Sequence, residues 1–365
     1  MILIVVDALR PGHTEPYGYH RPTTPHLSKR VAQAGMVRIN HVYGSCSEST
    51  CGLASLASSR YLHNYPPNPL SLPEVLQLHG YAIHMILGGD HTNHYNLRNV
   101  YGKVNNYFDG SMAKGFYMND DSFVLNKTRA LPRWGGNPIM LQYHLMSNHV
   151  LGKRLPAYTL FKPAASYAGK TRGGPDVRYT NFYDNGVLQT DAIIHAILTD
   201  LEAKHYLDHS IVVITADHGE SLGEKGVRAH GNSINEEALR IPLFISGMGE
   251  LAVAPGQPVG QVDIAPSILH ELKLPIPPNW DGLPLQSGAR RRPGDGFLHF
   301  SMREHIGLLD TRTPGPLKYR RNAQDNMEAV YDLVSDPSEQ HNVIESLAQP
   351  RRLEWRRHAR EVLDQ

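Results

Sequence analysis

The segment "HLMSNH" (144–149) sets two histidines, a serine and an asparagine directly behind the apolar run 139–143. A second segment, "TADHGESLGEKGVRAHG" (215–231), carries Asp217, His218 and His230 behind the apolar run 211–215, and Asp7 ends the opening run 2–6. Carboxylate oxygen beside imidazole nitrogen is the donor set of a divalent cation, zinc above all. Gly219 permits a tight turn after the Asp217–His218 pair. One carboxylate at a strand end is as often a helix cap, and one loop histidine is more often simply hydrogen-bonded; the adjacent pair is the stronger signal. A third segment, "YGSCSESTCGLASLASSRY" (43–61), places Ser49 and Thr50 at the start of a helix of small residues. A hydroxyl there ordinarily caps the helix. The same helix end offers backbone N–H groups and a positive dipole to a phosphate or sulfate, and a neighbouring cation turns the hydroxyl into a nucleophile. Asp90 and His91 in "LGGDHTNH", behind the run 82–87, are candidates for substrate contact, although a polar loop is the better account of them.

These residues need elements to position them. The apolar runs 2–6, 82–87, 139–143 and 211–215 read as buried strands. Helical spacing covers 24–34, 52–59, 71–79 and 186–203, where Val187, Leu188, Asp191, Ile194, Ile197, Leu198 and Leu201 recur every three or four residues. Strands alternating with helices predict an α/β fold with a mostly parallel central sheet and helices on both faces. Ligands in such sheets sit beyond the carboxyl ends of the strands, so Asp7, His144, Asp217 and His218 should emerge at one edge. From about 247 the texture becomes Gly- and Pro-rich, with a short helix over 263–272. The stretches "GFLHF", "HIGLLD", "LKYRR" and "EAVYDL" then read as short strands before a helix over 347–364, a small antiparallel appendage. The division expected is a catalytic domain over 1–295 and a C-terminal subdomain over 296–365.

The 365 residues are 41% hydrophobic and 19% charged, the composition of a globular enzyme. Lys+Arg 36 against Asp+Glu 35 leaves a net charge of +1, so no global field recruits nucleic acid. The basic runs "ARRRPG" (289–294) and "RRLEWRRHAR" (351–360) are local and read as solvated faces. The 21 histidines are the unusual count and favour a metal. No run reaches the ~18 apolar residues that span a bilayer. The chain reads either as a cytoplasmic enzyme or as a periplasmic, extracytoplasmic domain cut from behind an export signal or membrane anchor. Cys46 and Cys51 pair only if the turn between them is tight.

Strand-end Asp7, a hydroxyl at a small-residue helix start and the late "ADHGESLGE" together resemble the alkaline phosphatase superfamily in its sulfatase-like branch. "DHGESLGEKGVRAHG", "HLMSNH" and "YDNGVLQTD" (183–191) are similar to segments of the catalytic domain of bacterial lipid A phosphoethanolamine transferases. "EEALRIPLFI" (236–245), "QVDIAPSIL" (261–269) and "VYDLVSDPSEQHNV" (330–343) resemble sulfatase features and extend the likeness almost to the end of the chain. The resemblance implies one metal, zinc first with manganese or calcium as the other candidates, held by Asp7, the nucleophile, Asp217 and His218. It sets His144, His149 and His230 on the facing side, binding a second metal or the substrate's charged oxygens. Two departures stand out: the transferases carry Glu where this chain has Asp7, and the sulfatase Cys-x-Pro-Ser-Arg signature is missing, Cys51 being followed by Gly-Leu-Ala-Ser. Counting from Cys46 as in the transferases makes Thr50 the nucleophile; counting back from "ASLASSR" as in sulfatases makes it Ser49. The expected activity is phosphodiester hydrolysis or phosphoethanolamine-type transfer through a covalent Ser or Thr intermediate, on an anionic phosphoester with a lipid or glycan acceptor. The alternatives are a sulfatase with a hydroxyl nucleophile and a non-catalytic binding module of the same fold.

Overall fold

The run Ile2–Val6 is buried at every residue, which only a strand covered on both faces achieves. In this computed structural model, which describes residues 1–33, 35–112, 119–288, 296–312 and 315–363, it is the fifth strand of an eight-stranded sheet. The strands are β1 (Ile2–Val6), β2 (Val37–Tyr43), β3 (Ala82–Leu87), β4 (Asn106–Phe108), β5 (Ile139–Leu145) and β6 (Val212–Ala216), and, after the short hairpin β7 (Ser221–Leu222) and β8 (Arg228–Ala229), β9 (Arg240–Ser246) and β10 (Val259–Gly260). Their spatial order is β10-β2-β9-β6-β1-β5-β3-β4, and β9 alone runs antiparallel to its neighbours. Each of the four strands expected from apolar runs is present. The other four escape that reading for physical reasons: β2 alternates polar and apolar residues near an edge, β9 carries Pro242, and β4 and β10 are only three and two residues long.

The helices are α1 (Pro25–Gln33), α2 (Ser49–Ser58), α3 (Leu72–Leu78), α4 (Asp121–Arg129), α5 (Val177–Ala203), α6 (Glu236–Leu239), α7 (Ile264–Glu271) and α8 (Gln349–Leu363). α1, α4 and α5 pack together as one group, and α2, α3 and α7 as another. α3 opens with a capping box, Ser71 and Glu74 satisfying each other's backbone N–H groups. α5 starts at Val177, not at 186, with Asp176 capping it. Its first turns bury Asn181, Asp184 and Asn185, polar residues that hide the apolar spacing. Among the described residues no helix is long and apolar enough to cross a membrane.

The C-terminal strands β11 (Phe297–Met302), β12 (His305–Asp310), β13 (Leu317–Asn322) and β14 (Glu328–Asp332) form an antiparallel meander. Alternation divides its two faces. Phe297, Leu308, Tyr319 and Val330 pack on Trp355 and Ala359 of α8, while Leu298, Phe300 and Leu309 pack on Tyr43, Ile234 and Leu239 of the main body. Lys318, fully buried, bridges Glu236 and Glu339 at 2.8 Å each. The basic run of α8 is not a free solvated face: Arg351, Arg352 and Arg356 pair with Asp310, Glu345 and Glu328. The other basic run, 289–294, lies outside the described residues.

Candidate metal centre and nucleophile

Parallel pairing fixes the site. Val6 of β1 is level with Ala216 of β6, so the next residues, Asp7 and Asp217, leave adjacent strands side by side. His144 is not behind its strand, as the apolar run suggested, but inside β5, level with Val5. Past Asp7 the backbone turns through Ala8 at φ 57°, a strained conformation of the kind that functional sites hold. That turn is over-determined. Ala8 N–H donates to Asp217 Oδ1 at 3.0 Å, and Ala8 O accepts from Asn148 Nδ2 at 2.8 Å and from Tyr183 OH at 2.7 Å.

The hydrogen bonds leave a specific set of atoms over. Asp217 Oδ1 takes the N–H groups of Ala8 and His218, and Oδ2 has no hydrogen-bond partner among the described residues. Asp7 Oδ2 accepts from Ser49 Oγ at 3.2 Å, and Oδ1 likewise has none among the described residues. His218 Nδ1 faces Gly219 O at 2.8 Å, which puts its proton there and turns a lone pair on Nε2 into the site. Nε2 lies 3.1 Å from Ser49 Oγ and 3.5 Å from Asp217 Oδ2. Ligand atoms of Asp7, Asp217 and His218 all fall within 4.8 Å of one another, and all three residues are fully buried. Burial and the Asp217 carboxylate push Asp7 up to about 6. Burial works the same way on Asp217, but His218 and His144 outweigh it and hold that carboxyl well below its usual range. Two buried carboxylates with idle oxygens and a lone-pair imidazole fit a divalent cation.

The hydroxyl in this cluster is that of Ser49, the first residue of α2, buried against Asp7 and His218. Thr50 is half-buried and its hydroxyl is not the one that meets them. α2 lies so close to the β6 loop that a Cβ at Gly52 would stand 2.4 Å from Asp217 O. Cys46 and Cys51 form a disulfide across this helix start, with Cα atoms 6.3 Å apart. From behind, Gln261 Nε2 donates to the carbonyls of Ala216 and Asp217.

His149 and His230 are partly exposed at the mouth, rings 5.2 Å apart, with His230 4.4 Å from His218. His149 Nδ1 accepts from Leu151 N–H, which places its proton on Nε2. Burial disfavours the charged form of His230, yet Glu220 at 3.3 Å outweighs it and lifts the ring to about 9. His144 does not share that facing position; it is fully buried among the carboxylates. His91 stands behind it, its Nε2 2.9 Å from His144 Nδ1, and Asp90 only closes its own turn with Asn93.

Several supporting residues give no signal in the sequence, being single polar positions without a pattern. Asp121 accepts the N–H groups of Met146 and Ser147, and Arg154 gathers the carbonyls of Ser147, Asn148, His149 and Gly152, so the "HLMSNH" loop is held from both sides. Tyr95 packs edge-on to His91 at 5.1 Å; burial and the Asp7 and Asp217 carboxylates keep its phenol well above its usual range. Glu220, fully buried, is held by Tyr167 OH at 3.0 Å.

The sequence model of the sulfatase family matches residues 1–273. The chain belongs to the sulfatase family. It is similar to the phosphoethanolamine transferase EptA of Helicobacter pylori, 25% identical over 252 residues, which are 67% of this chain and 47% of that protein. The chain therefore spans about half the length of that relative. Among solved structures it resembles a protein in complex with its substrate D-glucosamine-2-N,6-O-disulfate, with TM-score 0.72, 17% identity, and coverage of 100% of this chain and 98% of that one. It also resembles the C-terminal periplasmic domain of EptC from Escherichia coli in complex with zinc, with TM-score 0.65, 14% identity, and coverage of 82% and 88%. At these identities the two structures speak for the fold: a mostly parallel sheet with a separate small antiparallel sheet.

Proposed function

We propose that this chain is a metal-dependent hydrolase or transferase of phosphoesters that works through a covalent intermediate on Ser49. The observation that carries the reading is the position of Ser49 Oγ, at the first residue of α2, 3.2 Å from Asp7 Oδ2 and 3.1 Å from His218 Nε2. Asp7, Ser49, Asp217 and His218 would hold the cation. Zinc suits this mixture of oxygen and imidazole nitrogen, and the similar EptC domain was solved with zinc. When bound, the cation lowers the pKa of the Ser49 hydroxyl and neutralises charge on the transferred group.

The chain's own residues do the rest. N–H groups at the start of α2 receive the non-reacting oxygens. In the first displacement Ser49 Oγ, its proton lost to solvent, forms a bond to phosphorus as the ester P–O bond breaks, and the departing oxygen takes a proton from His230, which Glu220 keeps protonated at the mouth. In the second, water or an acceptor alcohol attacks phosphorus and gives up its proton to His230, and the Oγ–P bond breaks to return Ser49 as the deprotonated oxygen that began the cycle. The substrate proposed is an anionic ester on a glycan or lipid, in keeping with the sulfated sugar bound by one similar structure and the transferase name of the H. pylori relative.

A second reading, sulfate ester hydrolysis with Ser49 as nucleophile, is favoured by the full-length likeness to a protein bound to a sulfated glucosamine. Against it stands the missing Cys-x-Pro-Ser-Arg signature around Cys51. Aryl phosphomonoester, phosphodiester, phosphonate and sulfate substrates, assayed after loading with zinc, manganese or calcium, separate the two. Turnover of a phosphorus ester above that of the sulfate is expected; a dominant sulfatase rate contradicts the proposal.

A further inference from the structure

The deep wall of the site contains a residue that the four-ligand set does not use. His144 is fully buried in β5. Its Nδ1 is taken up, 2.9 Å from His91 Nε2 and 3.2 Å from Gly88 O, and His91 Nδ1 in turn lies 2.8 Å from Tyr101 OH. Only Nε2 is left, and among the described residues it has no hydrogen-bond partner. It stands 3.8 Å from Asp7 Oδ2 and 3.8 Å from Asp217 Oδ2, too far for a hydrogen bond to either. A buried polar nitrogen with nothing to bond costs free energy unless something fills the gap. Three partnerless atoms, Asp7 Oδ1, Asp217 Oδ2 and His144 Nε2, belong to side chains that converge here.

We infer that His144 Nε2 is a ligand of the same cation and that His91, backed by Tyr101, is the positioning residue that fixes its ring. This rests on the cation reading of Asp7, Asp217 and His218. Adjacent donor atoms around a zinc bonded at ~2.1 Å stand about 3–3.6 Å apart, whether four or five bind. The Nε2 atoms of His144 and His218 each lie 3.5–4.0 Å from an oxygen of both carboxylates, so the two imidazoles flank the carboxylate pair and must draw in to meet one ion. A second imidazole changes the chemistry of the site. Two nitrogens beside two carboxylates and the Ser49 oxygen, five donors in all, favour zinc over calcium or magnesium, which prefer oxygen alone. The hydrogen bonding behind Nδ1 is the usual way a histidine ligand is oriented and its basicity raised.

The test is metal binding. Zinc and calcium affinities are measured by chelator competition on the purified chain and on His144→Ala, His144→Asn, His91→Phe, Asp217→Asn and His218→Ala, with the visible spectrum of the cobalt-loaded form as a second readout. Circular dichroism identifies any variant that fails to fold, and His144→Asn, close in volume, stands in for His144→Ala. Both His144 variants should bind zinc about 100-fold more weakly or worse, with calcium affinity unchanged and cobalt absorption altered, and His91→Phe should lose about 10–100-fold. Wild-type zinc affinity and an unchanged cobalt spectrum in both His144 variants overturn the inference, as a bridging water in the gap would produce. If Asp217→Asn and His218→Ala also bind zinc like the wild type, the cation reading itself falls; if they alone lose it, only the role of His144 does.

Discussion

Gly52→Ala is the substitution whose outcome follows most directly from the packing. The added Cβ would stand 2.4 Å from Asp217 O, 2.9 Å from its carbonyl carbon and 3.3 Å from its Cα. Ordinary contacts of this kind lie near ~3.5 Å, so α2 and the β6 loop must part by about 1 Å. Both sides are backbone, so no side-chain rotation relieves the clash. Overpacking of this sort costs about 1–3 kcal/mol, whereas alanine in a helix interior gains about 1 kcal/mol over glycine. The net destabilisation is therefore small, about 0–2 kcal/mol. Catalysis is the sensitive quantity. Ser49 rides on the same turn, and moving a reacting group by about 1 Å costs about 100-fold in rate. Turnover of an aryl phosphodiester and the midpoint of thermal unfolding, measured on the same preparations, give both numbers. Turnover within twofold of the wild type, together with a raised unfolding midpoint, would refute the close contact between α2 and Asp217.

Other consequences are equally open to measurement. Chelation should lower the unfolding temperature by uncovering the Asp7–Asp217 repulsion, and zinc at about 1,000 times its Kd should restore about 4 kcal/mol; calorimetry should show no such gain in Asp217→Asn. Lys318→Met leaves Glu236 and Glu339 buried without their cation and should cost about 3–5 kcal/mol in urea unfolding, largely recovered when both acids are also replaced by Gln. In the C-terminal sheet Arg312 holds Glu354 low, and at Asp310 it does so against the cost of burial. Both carboxyls are depressed on folding, so their contribution is present above about pH 4 and lost as pH falls below it. Unfolding midpoints of Arg312→Met should therefore vary less with acidification than those of the wild type.

The sequence was informative where topology leaves few choices. Buried runs in a parallel sheet put their carboxyl ends at one edge, so Asp7, Asp217 and His218 could be grouped from spacing and order alone. It was less informative where depth matters. An apolar run ending at residue 143 does not reveal that β5 continues through His144 and Leu145, because a buried histidine interrupts hydrophobicity without interrupting the strand. The family resemblance sets that residue opposite the carboxylates, and it lies among them. The choice between Ser49 and Thr50 was open by counting, but the helix itself holds a clue. Ser49 and Gly52 are three residues apart and share a face, and the glycine marks the face that approaches another backbone. Asp121 and Arg154 leave no trace, since each acts singly through amides or carbonyls, and Glu220 stands inside "ADHGESLGE" without any sign of its pairing with His230.

The central claim is that Ser49 carries the transferred group. Mass spectrometry of the zinc-loaded chain, acid-quenched during turnover of a phosphodiester, tests it most directly, with Ser49→Ala and Thr50→Ala alongside. The account predicts a phosphoryl-type adduct on Ser49, none in Ser49→Ala together with nearly complete loss of turnover, and an intact adduct in Thr50→Ala. An adduct on Thr50 or on a histidine, or undiminished turnover in Ser49→Ala, would contradict it.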